Sequence, residues 1–149
     1  MVLCFGGAAV LALNHKTLAD AIVLAAFLPV ISAMSGNAAM QSATVTMREL
    51  TLGVIVPGSW RAVLVKESSL ALTVGILLGA GLGAVASLWG ASWRIGVVVG
   101  GAMTFNTIMA VWLGSVVPLV LKRYRADPAL ASGPISTTLT DISGFSLTL

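Results

Sequence analysis

Residues 68–93 read SSLALTVGILLGAGLGAVASLWGASW, 26 consecutive residues without a charge. At ~1.5 Å of rise per residue such a run makes a helix of roughly 39 Å, longer than the ~30 Å hydrocarbon core of a bilayer. A helix that is apolar all round belongs in lipid or in the centre of a large protein, and a chain of 149 residues is too small to surround several of them. Two more uncharged runs flank this one, residues 21–47 and 95–121, with Arg94 alone between the second and third. The composition agrees. The chain is 58% hydrophobic and 9% charged, with mean hydropathy +1.03, where soluble domains carry ~25% charged residues. Disordered, collagen-like and disulfide-scaffold classes are excluded on the same ground.

The fold class expected is all-α, a polytopic membrane helical bundle forming one transmembrane domain over residues 1–149. Three runs, about 21–47, 68–90 and 95–121, each suffice for a full span. Residues 1–14 are too short for one, and residues 128–149 are borderline, with Pro134 suited to a first helical turn after Ser132-Gly133. They read as partial first and last helices of a five-helix unit, and the chain as a fragment of a longer protein. No Lys or Arg precedes Lys16, so a cleavable signal peptide is not expected.

Orientation follows from the basic residues. Arg48, Arg61 and Lys66 lie in 48–67, and Lys122, Arg123 and Arg125 in 122–127, while the opposite connections hold only Lys16 and Arg94. Both richer connections are therefore placed in the cytoplasm of a multi-pass protein of the cell membrane. Trp89 and Trp93 bracket the outer turn, and Trp60 suits the inner interface. The net charge of +3 rests on eight Lys and Arg, too few for a nucleic-acid surface. Cys4 has no second cysteine to pair with, and His15 no His/Cys cluster for zinc. Nothing supports covalent or acid–base catalysis, so the protein reads as no enzyme.

Asp141 is the main chemical signal, the only acidic residue inside an apolar segment. A carboxylate at membrane depth must be paired, hydrated or protonated. It therefore reads as a cation or proton site, against the alternative of a side chain near a helix end that reaches the headgroups. Thr137 and Thr138 fall one helical turn before it, on the same face. Asn37, Gln41 and Thr44 form a second polar stripe, which fits pore lining and interhelical hydrogen bonding equally. The run 21–47 and the last segment carry the most polar side chains and should face the bundle interior. The two middle runs should be peripheral.

Gly75, Gly79 and Gly83, and Gly96, Gly100 and Thr104, are small residues at four-residue spacing, suited to close helix approach. The G-x-G-x-x-A pattern at 79–84 lies inside an uncharged run and is no dinucleotide fingerprint. Pro29 and Pro118 mark kinks or freed carbonyls. Asp127-Pro128 has the form of an N-cap followed by a first-turn proline, with an entrance role for Asp127 as the alternative.

Several strings resemble one family. FLPVISAMSGNAAMQSATVTMR at 27–48 is similar to the second transmembrane segment of MgtE-type magnesium channels, and DPALASGPISTTLTDISGF at 127–145 to the opening of their fifth. Asn106, Gly114 and Pro118 fit the fourth. The resemblance implies a homodimer in the lipid bilayer, with a central pore lined by second and fifth helices. It implies that Asp141 is the metal-binding residue, that Gly36, Asn37, Gln41, Pro134, Thr137 and Thr138 are pore-lining candidates, and that Mg²⁺ is both the transported and the pore-bound ion. The match is to the membrane part of such channels, which carry cytosolic sensing domains besides. Mg²⁺ holds its water tightly and prefers oxygen ligands, so a few carboxylates among neutral oxygens suit it. Two other readings are a truncated assembly subunit without transport and a proton-coupled carrier using Asp141.

The charge asymmetry predicts topology. With Cys4 replaced, Ser92→Cys should react with an impermeant thiol reagent from outside the cell only. Labelling from the cytoplasmic side alone overturns the orientation.

Overall fold

The computed structural model describes residues 22–56, 58–89, 93–124 and 128–148. Among these the regular structure is wholly helical: α1 (Ile22–Thr51), α2 (Trp60–Trp89), α3 (Trp93–Arg123) and α4 (Pro128–Thr148). The segment expected as a partial first helix, with Cys4, His15 and Lys16, lies outside the described residues, as do Pro57, Arg125 and Asp127. Two of the four helices, α2 and α3, are long and apolar enough to cross a membrane. Trp60 and Trp89 stand at the two ends of α2, ~43 Å apart at helical rise, about the thickness of a bilayer with its interfaces.

The helices run past the uncharged stretches that announce them. α1 continues through Arg48 and Glu49, and α2 already begins at Trp60, so Arg61, Lys66 and Glu67 are helical and the connection shortens to 52–59. Gly53 ends α1 with φ of 69°. Val54 N–H bonds to Glu49 O at 2.9 Å and Gly53 N–H to Leu50 O at 3.3 Å, a Schellman closure that requires a left-handed residue there. Lys66 pairs with Glu49 across the turn. α4 starts at Pro128, in agreement with the Asp127-Pro128 signal, and not at Pro134. Pro134 instead lies within the helix, where it removes one backbone donor.

The four helices alternate in direction. α2 and α3 pack antiparallel along their glycines. A Cβ on Gly83 would sit 2.7 Å from Gly96 O, one on Gly100 2.7 Å from Gly79 O, and one on Gly75 3.0 Å from Thr104 O. The two small-residue ridges therefore face each other, and backbone meets backbone. α1 runs parallel to α3: Phe27 and Ile31 pack with Val99 and Met103, and further along both helices Ser42 Oγ lies 2.6 Å from Ser115 Oγ and Gly114 abuts the backbone of Ala39. α4 lies antiparallel to α1 and also packs on α3.

α3 is thus the centre of the bundle, touching α1, α2 and α4. This corrects the expectation that both middle runs are peripheral. α2 is, with buried residues in a single stripe from Val63 to Ala86; α3 buries Gly96, Val99, Asn106, Val111, Gly114 and Leu119 on several faces. Small residues on more than one side let three neighbours approach the same helix, a property that mean hydropathy does not register. Around the end of the bundle where α1 begins, Phe27, Ile31, Ala86, Val99 and Met103 form an apolar cluster that fills the space between α1, α2 and α3.

The glycine seam is testable. Gly79→Ala places a methyl against Thr104 and Gly100 O, whereas Gly81 faces open space. Overpacking costs ~1–3 kcal/mol, while an unhindered helical Gly→Ala gains ~0.5–1 kcal/mol. Thermal unfolding in detergent should show Gly79→Ala less stable and Gly81→Ala equal to or above the parent.

Candidate functional site

The polar side chains of α4 converge on α1 in a ladder of three levels. Ser32 Oγ donates to Asp141 Oδ1. One turn on, a Cβ at Gly36 would lie 3.0 Å from Thr137 Cγ2. One turn further, a Cβ at Gly133 would lie 3.1 Å from Met40 Sδ. Each step is four residues along both helices, the repeat that keeps one face of a helix against one neighbour. Gly36 and Gly133 are the small residues that let the two helices close, and Asp141 is half-buried at the Ser32 end of the ladder.

Hydroxyls on α4 are largely spent on their own helix. Thr137 Oγ1 donates to Gly133 O at 2.5 Å and Thr140 Oγ1 to Thr137 O at 2.8 Å. Such back-bonding leaves the hydroxyl oxygen lone pairs free to accept. Ser143 Oγ donates to Asn106 Oδ1, which ties α4 to the core of α3. Asn106 is fully buried, and Gly144 makes room for its amide. Asn106 and Ser32 are the site residues that spacing alone does not find: Asn106 looks like any lone amide in a span, and Ser32 like any small polar residue until α4 is laid beside it.

Of the seven candidates, Gly36, Thr137 and Asp141 come together. Thr138 is half-buried on the same helix, and Pro134 contributes helical backbone on α4. Asn37 and Gln41 do not join them. At 3.6 residues per turn they lie ~100° and ~140° around α1 from Gly36, exposed on a flank beside Met34, Ala38, Val74 and Leu78. Thr44 on that flank bonds its own helix, to Met40 O at 2.8 Å. Within one chain the stripe therefore neither lines the Asp141 seam nor, for Asn37 and Gln41, hydrogen-bonds a neighbouring helix among the described residues.

No group of three or more His, Cys, Asp or Glu gathers among the described residues. The seam offers one carboxylate with hydroxyl oxygens about it, a set that can hold a cation through its water shell more readily than strip it.

A family profile described as MgtE, divalent cation transporter, matches residues 28–149. The magnesium transporter MgtE of Thermus thermophilus is 34% identical over 122 residues, covering 81% of this chain and 27% of that protein. The protein of that name from Enterococcus faecalis is 31% identical over 131 residues, 87% of this chain and 29% of its own length. The one from Bacillus subtilis is 29% identical over 128 residues, 86% and 28% respectively. The chain spans less than a third of the length of these curated relatives.

The ladder can be probed by paired substitution. Gly36→Ala should destabilise the bundle by about 1 kcal/mol through its contact with the Thr137 methyl. Thr137→Ser, which removes that methyl, should recover most of the loss, giving a coupling of ~0.5 kcal/mol or more in a double-mutant cycle read by thermal unfolding.

Proposed function

This chain belongs to the MgtE family of divalent cation transporters, and from that premise we propose that it conducts Mg²⁺ across the cell membrane through a dimeric pore lined by α1 and α4. The observation that carries the proposal is Asp141, a carboxylate within an apolar segment, half-buried and oriented by Ser32 from the helix opposite. In this reading α1, α2 and α3 are full spans, with the Arg48 end in the cytoplasm, and Mg²⁺ is cargo that pauses at Asp141 on its way through.

The physics of the seam supports this. Lipid cannot hydrogen-bond Asn37 or Gln41, so the exposed flank of α1 needs water or a second protein surface against it. One aspartate per chain is a weak site for a doubly charged ion; a twofold axis beside α4 doubles the charge at one level. Hydroxyl and carbonyl oxygens then face the outer waters of a hydrated ion, and Asp141 supplies attraction without displacing many of them. The relatives are magnesium transporters, which favours Mg²⁺ among divalent ions.

The test is uptake of Mg²⁺ into proteoliposomes at matched protein incorporation, with and without an imposed proton gradient. Asp141→Asn keeps the size and the Ser32 contact but removes the charge. Loss of one charge-assisted contact costs ~1.5–3 kcal/mol, so flux or occupancy should fall at least tenfold with folding retained. Thr138→Val should cost less. Wild-type flux in Asp141→Asn overturns the mechanism, and uptake that requires the proton gradient replaces the channel with a coupled carrier.

A further inference from the structure

Glu67 is the one buried charged residue among those described, 5% exposed on α2, and its Oε2 has no hydrogen-bond partner. Lys66 shares its cavity and feels the Glu67 charge, but the Lys66 ammonium is hydrogen-bonded to Glu49 and not to Glu67, so the three side chains together keep one negative charge in excess. A buried carboxylate left this way is costly. It lines a cavity of about 260 Å³ between α1 and α2, floored by Val111 of α3, with Ala38, Gln41, Ser42 and Val45 on the α1 side. At ~30 Å³ per water that is room for a cation with several waters of hydration. Ser42 is already engaged with Val111 O and Ser115 Oγ. Gln41 is not, and its amide oxygen is the free neutral donor on the facing wall.

This cavity is separate from the Asp141 seam. Gln41 lies ~180° around α1 from Ser32, the residue that meets Asp141, and ~14 Å further along the helix, so the body of α1 stands between them. α1 and α2 are also not a closely packed pair; each is held mainly through α3. We propose that Glu67, with Gln41 opposite, binds a hydrated divalent cation at a second site toward the Arg48 end of the bundle, and that this ion ties α2 to α1. One carboxylate, one amide and retained waters are an inventory suited to Mg²⁺. The choice of a divalent ion rests on the family reading above; the burial and the unpaired oxygen by themselves call for a cation.

Mn²⁺ binding to the purified chain, followed by electron paramagnetic resonance with Mg²⁺ competition, tests this. In an Asp141→Asn background a saturable Mn²⁺ site should remain. Glu67→Gln, which keeps shape, should weaken it at least tenfold, Gln41→Leu several-fold, and Glu67→Asp should retain binding. A thermal melt should show Mg²⁺ stabilising Asp141→Asn but not Asp141→Asn/Glu67→Gln. Unchanged Mn²⁺ affinity in Glu67→Gln overturns the proposal, as does loss of all binding in Asp141→Asn with Glu67 intact, or competition by Na⁺ as strong as by Mg²⁺. Failure of the Asp141 mechanism appears separately, as unchanged flux in Asp141→Asn.

Discussion

Close approach of three helices to α3 is the constraint on which the rest depends. Lipid tails are as apolar as Leu, so apolar area gives membrane helices little reason to associate; contact must come from tight packing and interhelical hydrogen bonds. α3 supplies both. Gly96 and Gly100 admit the backbone of α2, Gly114 admits that of α1, and Asn106 holds Ser143 of α4. Remove the small residues and the helices separate by a side chain's width, which would carry the α1–α4 ladder apart although neither of its helices had changed.

With α3 fixed, α1 and α4 are held side by side, close enough for Ser32 to hydrogen-bond Asp141 across the seam. Ser32 meets Asp141 and Gly36 meets Thr137 because four-residue steps on antiparallel helices stay in register. The seam is well packed at Gly36 and Gly133 and half-open at Asp141, whose carboxylate Ser32 orients.

The same packing leaves α2 held from one side. Its glycines fit α3, but toward α1 it presents Glu67 over a cavity and meets it through side chains, Phe27 against Trp89 at the far end with ring centroids 5.8 Å apart. Glu67 lies at one end of the same buried stripe as those glycines, beside the cavity left between α2 and α1. The charge of that carboxylate defines what can fill it.

The sequence by itself determines the helical class, because runs of 26 and 27 uncharged residues make long apolar helices, two of them long and apolar enough to cross a membrane. It also determines the glycine ridges and the singling-out of Asp141, since each is a local property: a spacing or a lone charge. The strings around Asn37 and Asp141 carry the family as well. Tertiary structure alone decides which neighbour each face meets. Periodicity groups Asn37 with Gln41 but is silent on whether that face turns to Asp141, and it turns away. Hydropathy ranks α3 with α2, though one is the hub and the other the rim. Glu67 reads as part of a polar connection and proves to be buried in a helix. Helical spacing fixes the angle between side chains on one helix, whereas the azimuth of that helix in the bundle is set by partners far away in the chain.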